Sequence, residues 1–263
     1  MRLGCCISDG DQVAALERAR AEFCELPVAR AVMAPDGGFE RLASGLAASR
    51  MPVRAANVFL PGDLPVVGPD ADGGRLREHA ATALARLERL GVRVLVFGSG
   101  RARAVPEGFD RERALDQFAG VLREVAREAA GRGVTVALEP LRPAETNLLN
   151  TVAESAAFIR ERDVGPARLL ADLYHMREQG EAFDVLGECA ELLVHVHVAG
   201  VARRRPGPDA EDLEPFLAAL HAAGYAGDCS IECQWTDFAA EVPHAVADLR
   251  AAAVRAGWEE AHV

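Results

Sequence analysis

The 263-residue chain contains no lysine; all 29 of its basic residues are arginine. That excludes a Schiff-base lysine, a lysine general base and the lysine of a phosphate-cradling Walker loop. Positive charge is scarce overall, because 40 acidic residues leave a formal net charge of −11. Nucleic acid is bound through clustered cations, so no nucleic-acid partner is expected. A small anion, needing only one or two arginines, remains compatible. The six cysteines (Cys5, Cys6, Cys24, Cys189, Cys229 and Cys233) form no CxxC pair, and the CxxxC of Cys229 and Cys233 falls on a strand and its edge. Free thiols in a reducing cytoplasm are the expectation. The opening MRLGCCISDG turns polar too soon for a signal peptide, and no apolar run approaches the roughly 20 residues that span a bilayer. A soluble cytoplasmic protein with no membrane partner follows.

What is present is alternation. Strand-like runs at Arg2–Ile7, Glu22–Leu26, Val53–Leu60, Val92–Phe97, Val134–Glu139, Arg168–Asp172, Leu193–Val198 and Cys229–Glu232 are separated by amphipathic stretches such as Gly74–Leu90 and Arg111–Gly131. In the second of these, Leu115, Phe118, Leu122, Val125 and Ala129 recur at the helix period. Glycines follow the helical runs in LERLG, AAGRG and HAAGYAG, where a helix C-terminus favours them. Strands alternating with helices predict a (β/α)8 TIM barrel, α/β in class, forming one domain over residues 1–263. An open doubly wound sheet would need a Gly-rich turn after its first strand, and CCISDGD is not one.

The stretch Leu192–Gly200, LLVHVHVAG, sets two imidazoles into an apolar strand. Period-two alternation puts Val194, Val196 and Val198 on one face and His195 and His197 on the other. The neighbouring strand ends are equally unusual. Glu139 ends the fifth, in ALEPL, Asp172 the sixth, in LLADLYHM, and Glu232 the eighth, in SIECQW. Barrel active sites are built where strands end. Three acids converging there repel unless protonated or neutralised, and a divalent cation neutralises them. Three carboxylates and one imidazole suit Mn²⁺ first, with Mg²⁺, Co²⁺ or Zn²⁺ as alternatives. His197, nearer the strand end, is the expected ligand, and His195, one layer deeper, a structural residue. The FGSGRAR turn at Phe97–Arg103 reads either as a plain tight turn or as an anion nest at Gly98-Ser99-Gly100 with charge from Arg101 or Arg103. Asn57 is a further candidate at the mouth. Trp258, in AVRAGWEEAHV, packs a helix end onto the barrel or makes a subunit contact in a homo-oligomer.

These residues resemble the sugar isomerase/epimerase superfamily of xylose isomerase-like barrels, nearest its ketose 3-epimerase and hydroxypyruvate isomerase branch. The resemblance covers about residues 134–235. It implies one divalent metal held by Glu139, Asp172, His197 and Glu232, with the two glutamates as paired acid/base catalysts. LEPLRPAETNLLNT, DLYHM and HVAGVAR match the family's segments, and imply substrate-binding roles for Glu145, His175 and Arg203. Glu145 could instead be an exposed loop acid. The family's glutamate shortly after the ligand histidine is replaced here by Gly200 and Val201. The implied reaction is isomerisation or epimerisation of a sugar or sugar phosphate through a metal-stabilised enediolate. Metal-dependent dehydration of the inosose or 3-dehydroshikimate type would use the same four ligands. An endonuclease IV-like phosphodiesterase would use a multinuclear zinc site with more histidines at the strand ends and a basic face; the chain's seven histidines and net charge of −11 count against it. A non-catalytic barrel would show a decayed ligand set.

Overall fold

A computed structural model describes residues 1–35, 37–207 and 210–259. Eight strands follow one another as β1 (Arg2–Cys6), β2 (Phe23–Pro27), β3 (Val53–Asn57), β4 (Val94–Phe97), β5 (Thr135–Leu138), β6 (Arg168–Asp172), β7 (Leu193–Val198) and β8 (Asp228–Ile231). Each pairs in parallel with the next, and β8 pairs with β1 to close the barrel. This is the (β/α)8 architecture that the alternating pattern predicts.

Strand alternation sorts the core into two parts. Leu3, Cys5, Cys24, Leu26, Val136, Leu138, Val196, Val198 and Ile231 face outward into the layer shared with the helices. Ala55, Val94, Val96, Ala137 and Leu170 face inward as a separate apolar plug. Val194 departs from its expected face. The register shifts between Leu169, opposite Leu193, and Leu170, opposite His195, and Val194 lies in that shift and packs on the inner plug. Beyond it, Asp172 stands opposite His197 and His197 opposite Ser230. Phe23, the first residue of β2 and on the same face as Glu25, has its ring 6.3 Å from that of His195. It fits because β1 has a glycine there: a Cβ on Gly4 would lie 2.4 Å from the Phe23 ring.

The helices start and stop where local chemistry directs. Asp72 and Asp110 accept backbone N–H groups at the N-termini of Gly73–Leu90 and Arg111–Ala130, satisfying donors that a first turn leaves unpaired. Gly91 ends the first of these in the left-handed region, at φ +76°. Phe118, Leu122, Val125 and Ala129 are buried as the period requires, while Leu115 is only half-buried. The third strand is shorter than the sequence pattern suggests. It stops at Asn57 because Val58 takes φ +47°, a conformation that a β-branched residue rarely adopts. Trp258 packs on the barrel, its indole N–H donating to the carbonyl of Leu217 at 3.3 Å beside the ring of His221. Residues 260–263 of the same segment lie outside the described residues. Among the described residues, no helix is long and apolar enough to cross a membrane.

A methyl group at Gly4 must displace the Phe23 ring. Gly4→Ala is expected to cost about 1–3 kcal/mol, the usual penalty of overpacking, read from the urea midpoint. An unchanged midpoint would show that the interior yields freely.

Candidate metal and active site

Glu139 and Glu232 follow directly on β5 and β8, while Asp172 and His197 lie at the ends of β6 and β7. The barrel brings all four to one mouth, with one ligand-type atom of each lying within 4.8 Å of the others. From His197 Nδ1 the distances are 3.4 Å to Glu139 Oε1, 3.5 Å to Glu232 Oε2 and 4.0 Å to Asp172 Oδ2. Glu139, Asp172 and His197 are at most 5% exposed. Three of the converging atoms, Glu139 Oε1, Asp172 Oδ2 and His197 Nδ1, are buried with no hydrogen-bond partner. Buried polar atoms are normally paired. Two orphaned carboxylate oxygens aimed at one orphaned imidazole nitrogen are donors suited to a divalent cation.

The orientation of His197 depends on Glu25, which the sequence reading passed over. Glu25 is fully buried on β2. Its Oε1 lies 3.0 Å from His197 Nε2 and its Oε2 lies 2.8 Å from His195 Nε2, while the Ser230 hydroxyl donates to Oε2 at 2.6 Å. A carboxylate only accepts, so each Nε2 carries its proton toward Glu25, and Nδ1 is the His197 nitrogen that faces the outer acids. His195 belongs to this buried support, consistent with a structural role. One signal in the sequence pointed to Glu25: in FCELP it alternates with the outward Cys24 and Leu26, so its charge had to face the interior. Cys6, Glu25 and His197 also lie close enough to share an ion, but Nε2 of His197 and both oxygens of Glu25 are already joined in this network.

The electrostatics show an excess of negative charge. Burial raises the pKa of Glu139, and nearby Glu232 adds to the rise against the pull of His197. Burial also opposes charge on Glu232 and Glu25, but the imidazoles, with Arg203 for Glu232, hold both below the ordinary carboxylate value. Burial disfavours charge on His197, yet Glu25, Glu232 and Glu139 outweigh it and raise its pKa. Four acids thus surround one imidazole, an imbalance that a bound cation would offset.

The remaining expected residues line the same mouth. Asp172 uses Oδ1 to accept the Tyr174 N–H at 2.7 Å, capping the helix Leu173–Gln179, which leaves Oδ2 for the cluster. One turn on, His175 Nδ1 accepts the Arg142 N–H at 3.3 Å, so its proton sits on Nε2, 3.7 Å from Asp172 Oδ2. Glu145 is not an isolated loop acid, because it bridges Arg142 at 3.1 Å and Arg203 at 3.4 Å. Arg203 also donates to Glu232 Oε2 and lies over the Tyr174 ring. Where the family's glutamate is missing, a Cβ on Gly200 would come within 2.4 Å of the Arg205 carbonyl oxygen. Backbone fills that place.

The Gly98-Ser99-Gly100 turn makes room. A Cβ on Gly98 would lie 2.2 Å from Glu139 Oε2, and one on Gly100 would lie 2.6 Å from the carbonyl oxygen of Glu145. The Ser99 hydroxyl accepts the Leu60 N–H at 3.0 Å. Arg103 offers no charge to a ligand here. It is fully buried, its pKa lowered by burial to about 10, and it donates to the Glu139 carbonyl at 2.8 Å. Arg101 is exposed and lines a cleft of about 250 Å³ with Leu60, Leu141, Glu139, Arg203 and Glu232. A second cleft, of about 180 Å³, opens on the other side of Glu232, past Asn57, Cys6 and Trp235.

A closed parallel barrel whose last four strands carry carboxylate, carboxylate, imidazole and carboxylate to one mouth defines a TIM-barrel protein with a cluster of residues of metal-ligand type at that mouth. A family model described as a xylose isomerase-like TIM barrel matches residues 13–255, and the chain belongs to that family. A 3-dehydro-D-guloside 4-epimerase of Escherichia coli (strain K12) is 32% identical over 123 residues, 46% of either chain. An L-ribulose 3-epimerase of Mesorhizobium japonicum is 31% identical over 184 residues, 68% of this chain and 61% of its own. The chain thus spans between 46% and 61% of the length of these two curated relatives. A solved L-ribulose 3-epimerase superposes with a TM-score of 0.83 at 25% identity, covering 97% of this chain and 95% of that one.

A cation that binds only the folded protein raises its stability by about 2.7 kcal/mol at a hundredfold excess over Kd. Thermal melts of metal-stripped protein with Mn²⁺ are expected to show such a rise, and His197→Ala is expected to abolish it. An equal response from the variant would place any bound ion elsewhere.

Proposed function

We propose that the protein, as one barrel domain over residues 1–263, is a divalent-cation-dependent epimerase or isomerase of a sugar or sugar phosphate. The observation that carries this reading is the approach of Glu139 and Glu232 to His197 Nδ1 from two non-adjacent strands, at 3.4 and 3.5 Å, beside clefts open to a small molecule. Two carboxylates reaching one point from different directions suit proton transfer on two faces of a carbon. The epimerases among its relatives support the same chemistry.

Glu139, Asp172, His197 and Glu232 would hold the cation, Mn²⁺ by preference. When bound, it supplies Lewis-acid polarisation of a carbonyl. One glutamate takes the proton from the carbon beside that carbonyl. The C–H electron pair moves into a new C=C bond, and the carbonyl electrons move onto oxygen. The other glutamate, protonated, returns a proton to the opposite face of the carbon as the carbonyl re-forms. Isomerisation results instead when the proton returns to the former carbonyl carbon, while the hydroxyl on the deprotonated carbon gives its proton to the former carbonyl oxygen and becomes the new carbonyl. Arg203 and the Nε2 proton of His175 donate to substrate oxygens and stabilise the charge that develops on them. Glu145, tied to Arg142, keeps the Arg203 guanidinium over the site.

In D₂O, Mn²⁺-loaded protein is expected to place deuterium at the carbon beside the carbonyl of L-ribulose or D-psicose, and chelation is expected to stop it. Glu139→Gln and Glu232→Gln should each slow exchange by about 10²–10⁴-fold, the range of a positioned acid or base. Undiminished exchange in both variants would remove these carboxylates from the proton-transfer role.

A further inference from the structure

Asn57 closes β3 beside Glu232 and is 4% exposed. Its Nδ2 donates to Glu232 Oε1 at 2.8 Å and also lies 3.4 Å from Cys6 Sγ. The other oxygen of Glu232, Oε2, faces His197 Nδ1 and receives Arg203. The two oxygens therefore have different surroundings: Oε2 belongs to the acid–imidazole cluster, and Oε1 is turned away from it onto the amide. The orientation of that amide follows from its neighbour. An ionised carboxylate only accepts, so the NH₂ of Asn57 must face it and Oδ1 must face away. Oδ1 is buried and has no hydrogen-bond partner, although the residue lines the 180 Å³ cleft. A buried acceptor without a donor is costly to leave unpaired, and a ligand hydroxyl in that cleft would pair it.

We propose that Asn57 is a positioning and substrate-binding residue: its N–H holds Glu232 Oε1 as the proton-transfer oxygen, and its Oδ1 accepts a hydroxyl of the substrate. The inference rests on the epimerase reading of the same site, and it identifies the substrate as a hydroxy-carbonyl compound with a hydroxyl near the reacting carbon. The carbonyl oxygen and the C–H cannot donate to Oδ1; a neighbouring hydroxyl can. The backbone supports this placement, since the left-handed Val58 ends β3 directly after Asn57 and its carbonyl accepts the Ala29 N–H at 3.0 Å.

Two variants of the Mn²⁺-loaded protein separate the two contacts, with L-ribulose, D-psicose and D-fructose as probes. Asn57→Ala removes both, and kcat should fall about 100-fold, as a misplaced catalytic group does, while KM rises about tenfold from loss of the hydroxyl contact. Asn57→Asp is isosteric and keeps the acceptor but loses the donor. Its KM should stay within about threefold of wild type while kcat falls at least as far as in Asn57→Ala. The Mn²⁺ Kd should change less than about tenfold in both, below the upper range seen when a ligand loses its support. If Asn57→Ala does not fold, the kcat and KM of Asn57→Asp decide alone. Unchanged kcat, or kcat and Mn²⁺ affinity falling in proportion, would overturn the role of Asn57 while leaving the epimerase reading intact. A wild-type protein that exchanges no proton with any of the three ketoses would overturn both together.

Discussion

The mouth of this barrel depends on one buried carboxylate. Glu25 sits at 0% exposure between two imidazoles that are equally buried. Isolating such a charge from water would be prohibitive without partners. Here three donors, His195, His197 and Ser230, meet its two oxygens. That arrangement settles the orientation of the His197 ring. With Nε2 committed to Glu25, Nδ1 can only point at Glu139, Asp172 and Glu232. The outer acids would repel one another without a positive centre among them, and the inner acid keeps the imidazole in place to face them.

Around this pair the fold provides space for the carboxylates. Gly98 leaves room for the Glu139 carboxylate, and Gly100 lets the Glu145 backbone pass close to the turn after β4. On the other side, Ala202 and Arg203 both take positive φ, at +54° and +57°, a conformation that costs non-glycine residues energy and persists where surrounding bonds require it. Those bonds run from Gln234 N–H to the Arg203 carbonyl at 2.7 Å and from Gly200 N–H to the Arg204 carbonyl at 2.8 Å. They fold the loop inward and place the Arg203 guanidinium on Glu232. Past Arg204, Arg205 pairs with Asp248 at 3.1 Å, and Pro206 and Gly207 are buried, so the segment is less solvated than its charge suggests; Pro208 and Asp209 lie outside the described residues.

Charge alternates outward from the cluster. Glu232 meets Arg203, Arg203 meets Glu145, Glu145 meets Arg142, and Arg142 meets the half-exposed Glu178 at 3.0 Å. The Arg142 and Arg203 guanidiniums both lie over the Tyr174 ring, 5.0 Å from its centroid. Exposed ion pairs add little stability, but this series runs from solvent to a buried end, and both of its arginines also pack on the Tyr174 ring. Its effect is orientation: Arg203 is held at the mouth by Glu145, Glu232 and the Tyr174 ring.

Period and punctuation made much of this protein legible in its sequence. Alternation along LLVHVHVAG assigned His195 and His197 to one face, and the acids Glu139, Asp172 and Glu232 stood at strand ends because each strand was bounded by recognisable helix signals. These are local properties, carried by residues within a few positions of one another. Three features were out of reach. The face of Val194 depends on a register shift against β6, the length of β3 on a strained φ at Val58, and the orientation of His197 on Glu25, 172 positions earlier in the chain. Sequence spacing of that size carries no geometric information. Only closure of the barrel, β8 onto β1, brings β2 opposite β7 across the interior, so the sequence alone determined the inward face wherever alternation runs unbroken, and the tertiary structure decided the face of Val194 and which inward residues meet.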